Sequence, residues 1–197
     1  MTSYRQPLRW LIMSFALALA APLVAATAQE PGSKAPEGMP APTPPAETKK
    51  LAFMVGQFTT DEKFHPSPMM PTAMTSKGRY AGRFILGGFF YSGDVDSEAM
   101  GGFKGLSLIR FDPAAGAYEM HWFDSMGTVH KTTGGKWKDE KTLFFETEME
   151  HMGIKASVRS YYRINSPNSW TLSEEADYHD GKGWAPSMEI KFTRTSG

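Results

Sequence analysis

The chain has 197 residues, of which 41% are hydrophobic, with 21 basic against 21 acidic side chains, 13 methionines and no cysteine. A balanced charge leaves no electrostatic footprint for nucleic acid or for an anionic membrane surface. The lack of cysteine excludes disulfide frameworks, thiolate zinc sites, iron–sulfur clusters and cysteine nucleophiles.

Arg5 and Arg9 precede an apolar run from Trp10 to Ala21, and Ala26-Thr27-Ala28 puts small residues where a signal peptidase cuts. Residues 1–28 therefore read as a cleaved secretory signal, which makes the protein periplasmic or secreted. A retained anchor is the competing reading, opposed by Pro22 and by the weakly apolar, alanine-rich second half. Once the signal is removed no transmembrane segment is expected. Cleavage takes two bases and no acid, leaving 19 bases against 21 acids. Residues 29–49 hold six prolines and almost nothing that can enter a core. They read as an extended, disordered linker, or as a spacer holding the domain away from a membrane or an envelope partner.

From Lys50 to the end the chain is aromatic, punctuated by glycine and poor in proline, giving one domain over residues 50–197. A helical period is found only at Leu51 to Val55, ended by Gly56; the rest has period two or turn signals. Leu143, Phe145, Thr147 and Met149 alternate with Phe144, Glu146 and Glu148. Ile154 to Ile164 and Met188 to Phe192 repeat the pattern. Turns are expected at Leu86-Gly87-Gly88, Asp112 to Gly116, Asp124 to Gly127, Gly134-Gly135, Asn165 to Asn168 and Asp180 to Gly183.

The predicted strands, about ten, cover 57–65, 74–84, 88–95, 102–111, 117–124, 127–134, 141–149, 154–164, 169–178 and 184–194. Short connections make sequence neighbours antiparallel partners, and closing the sheet removes its two edges. The fold class is thus all-β: an antiparallel up-and-down barrel, calycin-like, with a short helical plug before the first strand. A two-sheet sandwich with a filled core is the alternative.

The segments Leu51-Ala52-Phe53-Met54-Val55-Gly56, Gly78-Arg79-Tyr80, Phe84-Ile85-Leu86-Gly87-Gly88, Gly102-Phe103-Lys104-Gly105 and Trp122-Phe123-Asp124-Ser125-Met126-Gly127-Thr128 follow one another across nearly the whole domain. In order and spacing the sequence resembles the bacterial DUF1579 family of unknown function. It departs from that pattern at Phe58, where tryptophan is usual, and at Phe89, where an arginine is expected that could meet an anionic ligand. The resemblance implies a closed barrel of the fatty-acid-binding and nitrobindin type with no assigned activity.

Nitrobindin-like barrels hold haem through a histidine, so the resemblance makes haem a minor alternative. Of the five histidines, His65 falls in a proline-rich loop, His151 lies between Glu150 and Met152, and His179 is at a turn edge. His121 and His130 are strand residues. If Met120 and Trp122 face inward, His121 faces outward. A second minor alternative is copper, from His65, Met69, Met70 and Met74, a soft-ligand set within ten residues. The opposing reading makes these methionines apolar fillers near the barrel mouth, with their loop as a lid. No cofactor is favoured.

No nucleophile elbow, phosphate loop, dinucleotide fingerprint or His-Glu-x-x-His is present. His121, Asp124 and Ser125 suggest an acyl-transfer set only superficially, because an Asp-Ser-Met-Gly turn needs those residues for its own bonding. Catalysis is therefore not expected. The expected function is binding of a small apolar or amphipathic molecule inside the barrel, against Phe103, Tyr118, Met120, Trp122, Phe145 and Tyr162. Arg110 or Arg159 would orient a polar head if either faces inward. The alternative is a structural or interaction module with a filled core and an envelope protein partner.

Overall fold

The computed structural model describes residues 41–195 apart from 69 and 152. The expected secretory signal and the linker as far as residue 40 lie outside the described residues, as does Met69 of the soft-ligand set.

Ten strands follow in chain order: β1 (Gly56–Phe64), β2 (Met74–Ile85), β3 (Phe90–Ser97), β4 (Phe103–Asp112), β5 (Ala117–Asp124), β6 (Val129–Trp137), β7 (Thr142–His151), β8 (Ile154–Ser166), β9 (Ser169–Asp177) and β10 (Ala185–Arg194). Each pairs antiparallel with its sequence neighbours, and β1 also pairs with β10, which closes the barrel. Closure satisfies the outermost strands, which would otherwise be open templates for aggregation. The period-two pattern of the sequence becomes a sidedness: Phe58, Tyr80, Tyr91, Ile109, Leu143, Tyr162, Trp170 and Phe192 all point inward and are buried.

The helical segment starts earlier than the sequence suggests. A helical turn, α1 (Ala46–Lys49), continues as a 3-10 turn over Lys50–Met54, so its first residues belong to what reads as linker. Pro45 precedes the first turn in an extended conformation (ψ 141°) and limits the helix there. Thr48, Leu51 and Met54 are fully buried, and Phe53 stands edge-on to Trp137 and Trp170. The segment plugs one end of the barrel. Arg194 of β10 fastens it by donating to the carbonyls of Val55 (2.6 Å) and Phe53 (3.4 Å), with its guanidinium over the Phe58 ring.

Gly134-Gly135 is not a turn. Both residues lie inside β6, where the register against β5 slips between Tyr118 and Met120, and Gly134 takes up the extra residue at φ 79°. This is a β-bulge, which bends a strand without ending it. Gly135 has a separate role: the Phe145 ring occupies the space its side chain would fill.

Candidate functional site

The plug half of the barrel is filled with rings. Trp170 stacks on Phe192 at 3.5 Å between centroids, Tyr80 and Phe58 stand edge-on to Trp170, and the Tyr80 and Tyr91 hydroxyls share a 2.5 Å hydrogen bond. Tyr91 also donates to the Met54 carbonyl. A second, smaller apolar cluster of Ala156, Val158 and Ala176, flanked by Met149 and Tyr178, lies toward the other end on β8 and β9.

Between these clusters the inward side chains are less completely covered. Met120, Leu172, Glu174 and Ile190 share the inward face with their buried neighbours, yet each keeps accessible surface. In a closed sheet an inward side chain can be wetted only from the lumen. Glu174 is among these inward side chains and is partly exposed.

Tyr162 reaches from β8 across the barrel to donate to the Met120 sulfur on β5 (3.3 Å). Ser160 donates to Glu174 at 2.7 Å. Two strands away on β1, Glu62 is 4% exposed and accepts from Thr60 (2.8 Å) and Ser97 (2.5 Å). Neither carboxyl has a cationic partner within ion-pair distance among the described residues. Thr132 of β6 is 2% exposed and its hydroxyl has no hydrogen-bond partner; the Trp170 indole N–H is likewise unpartnered. Burial pushes the Glu174 carboxyl above its ordinary pKa against the opposing Ser160 bond, and pushes the Tyr162 phenol up in the same way. Burial also lowers the pKa of His130, which favours the neutral imidazole.

The wall has one slack seam. The β6–β7 ladder consists of two pairs near the plug end, Lys136 with Phe144 and Trp137 with Leu143, and stops beside the Gly134 bulge. Beyond it the two strands are joined by side chains, with the His130 ring at 3.3 Å from the Thr147 hydroxyl. At the mouth Trp122 lies over Gly105, stacks with Phe103 (6.2 Å, 17°) and donates to Asp124. Burial opposes ionisation of Asp124, but the amides of Thr128 and Met126 and the Trp122 N–H outweigh it and lower its pKa. Those bonds make the turn from Asp124 to Gly127 self-sufficient, with Gly127 at φ 82°.

The expected binding residues fall into three groups. Met120, Trp122 and Tyr162 face the lumen, Tyr162 within the packed core, with Phe103 at the mouth end. Tyr118 and Phe145 are inward but committed to packing; the Tyr118 hydroxyl donates to the Glu47 carbonyl and accepts from Trp137. Arg110 and Arg159 are on the outer wall, contrary to their expected use inside. Arg110 is engaged by Glu119 and Asp112, and Arg159 by Glu146 and the Trp184 ring. Register decides this, because each lies one residue away from an inward position.

His121 also faces outward, bonded to Glu119. Phe89 sits between β2 and β3 at the plug end, so its departure from the family pattern is far from the open mouth. His65, Met70 and Met74 lie near the mouth, where the β1–β2 connection begins and ends. No group of three or more His, Cys, Asp or Glu side chains suited to a metal ion occurs among the described residues. Two concavities of about 590 and 310 Å³ lie against β10–β1–β2 and β2–β3–β4, and their charged rims mix lysines or arginine with acids.

Sequence reasoning missed Glu62, Glu174 and Thr132. The signal was available as an acid or hydroxyl at an inward position, in Phe58-x-Thr60-x-Glu62-x-Phe64 and Trp170-x-Leu172-x-Glu174-x-Ala176.

A plugged, closed, ten-stranded up-and-down barrel is a calycin-like architecture. The chain belongs to the family described as "Protein of unknown function (DUF1579)", whose model matches residues 43–194. Among solved structures it is similar to Rv2717c from M. tuberculosis, at 12% identity and a TM-score of 0.56, over 78% of this chain and all of that one. It is also similar to the S-type phycobiliprotein lyase CPES from Guillardia theta, at 9% identity and a TM-score of 0.53, over 75% of this chain and 91% of that one. At these identities the likeness is one of fold. No curated protein matches the sequence.

Proposed function

We propose that the protein is exported and binds a small apolar or amphipathic molecule in the less completely packed part of its barrel. The observation that carries this reading is the wetted inward surface of Met120, Leu172, Glu174 and Ile190 between two packed clusters. Folding normally fills such volume with side chains, and a lumen left partly apolar with a few converging polar groups is the usual form of a ligand site. Binding there would transfer apolar ligand surface out of water against Met120, Trp122 and Tyr162. The slack β6–β7 seam and the mouth at Phe103 and Trp122 are the two routes in. Export rests on the sequence of residues 1–28, with periplasmic or secreted residence as its consequence.

Native mass spectrometry of the protein recovered from its own envelope fraction tests both parts. The expected spectrum shows a chain beginning at Gln29 with a retained mass that is lost on denaturation. A chain beginning at Met1 in that fraction would overturn cleavage in favour of the retained anchor, and absence of the protein from the envelope fraction would overturn export. Consistent absence of any retained mass would overturn lumen binding in favour of the interaction module.

A further inference from the structure

The outer wall is rich in both charge signs; the lumen is not. Along the inward positions of the ten strands no lysine occurs among the described residues, and the one arginine, Arg194, is sealed under the plug, where it donates to Val55 and Phe53. The inward acids are Glu62 and Glu174, with Asp124 at the mouth. Glu62 and Glu174 flank β10, paired to Ile190 and Met188, so they stand roughly 10–12 Å apart across two strand spacings. Each is hydrogen-bonded only by hydroxyls, which leaves acceptor capacity free, and has no cationic partner within ion-pair distance among the described residues.

Two further observations point to a ligand. Thr132, 2% exposed on the inward face of β6, carries a hydroxyl with no partner, and a buried hydroxyl without a bond is costly enough to be uncommon. The rings of Tyr162 and Trp122 add π faces to the floor and the mouth, and such faces attract cations and not anions.

Resting on lumen binding as proposed above, we infer that the ligand carries a cationic, hydrogen-bond-donating head, an amine or ammonium on an apolar body. Its head meets the Glu174 carboxyl, with Glu62 across β10 supplying further negative potential and the Thr132 hydroxyl a neutral acceptor. A carboxylate or phosphate head would instead meet inward acids and, among the described residues, no inward lysine or accessible arginine, with His130 on that face kept toward its neutral imidazole by burial. Nor can Arg110 or Arg159 turn inward to help, since both are tied to acids on the outer wall.

The test is a titration of the full chain with three probes of equal chain length, decylamine, decanol and decanoate, followed by tryptophan fluorescence and native mass spectrometry at pH 7. Decylamine is expected to bind at least tenfold more tightly than decanoate, with decanol between them. Glu174→Gln is expected to reduce decylamine affinity about tenfold and to leave decanol unchanged, with circular dichroism reporting the fold. Glu62→Gln is the second variant and is expected to lower decylamine affinity less. Decanoate binding as tightly as decylamine to the unaltered protein would overturn the cationic head while leaving lumen binding in place. Binding of none of the three would overturn the lumen reading and this inference with it.

Discussion

Glu119 on β5 and Glu174 on β9 are acids four strands apart in one barrel wall, and their surroundings move them in opposite directions. Glu119 faces out, and its carboxylate is held down to about 2, first by the bond from His121 and then by Arg110 and Lys131. It is covered by those long side chains and not by depth in the fold, so screening limits its worth to about 1–2 kcal/mol. A depressed acid stabilises the fold fully above its unfolded value of about 4.5 and loses that contribution as pH falls toward 2. Glu174 runs the other way: a raised acid is best accommodated when protonated, and stability declines as pH rises above about 4.5 through its native value. Glu119→Gln is therefore expected to lower the melting temperature at pH 7 and to converge on the unaltered protein near pH 2. Glu174→Gln is expected to match the unaltered protein near pH 4 and to exceed it at pH 8. Thermal melts across that range check both signs, and a Glu174→Gln variant that loses stability with rising pH as the parent does would refute the assignment of the raised acid. A group whose ionisation costs stability until a cation meets it is what the proposed site requires.

At the scale of single elements, what could be read from the sequence follows from how local each signal is. The alternation in Leu143 to Met149 or Met188 to Phe192 is carried by adjacent residues, so strand and inward face were both legible. Gly134-Gly135 was misread because a glycine pair has the same local signature in a turn and in a bulge; only the slip against β5 separates them. The start of the plug was missed since Thr48 is buried by β strands far along the chain. Gly135 illustrates a second kind of non-local information. Its missing side chain is what the Phe145 ring needs, as Gly105 serves Trp122 and Gly93 serves Tyr80. Gly135→Ala is expected to displace Phe145 and to destabilise by about 1–3 kcal/mol, the range for overpacking a tight interior. Gly127→Ala, by contrast, meets open space and strains only its own left-handed turn. Denaturant unfolding compares them, and an unchanged Gly135→Ala midpoint would show that the ring has room to move.

For the molecule as a whole, the inward side chains left partly uncovered pose an energetic question, because incomplete packing gives up dispersion and burial that a filled core would gain. The plug is where this barrel recovers much of it. Leu51 and Met54 are fully buried, Phe53 is wedged between two tryptophans, and Tyr91, Tyr118 and Arg194 each bond to the plug backbone. Burial of three large apolar side chains is worth about 5–8 kcal/mol, comparable to the total stability of an ordinary domain. The family match begins at residue 43, which places the plug inside the domain and not in an appendage. The stability of the barrel should therefore depend on a short segment with little helix of its own. A chain beginning at Gly56 is expected to lose cooperative melting and to bind hydrophobic dye, whereas one beginning at Gln29 melts in a single transition. If the shorter chain melted within a few degrees of the longer one, the ring stack of Trp170, Phe192 and Tyr80 would have to hold the barrel closed unaided.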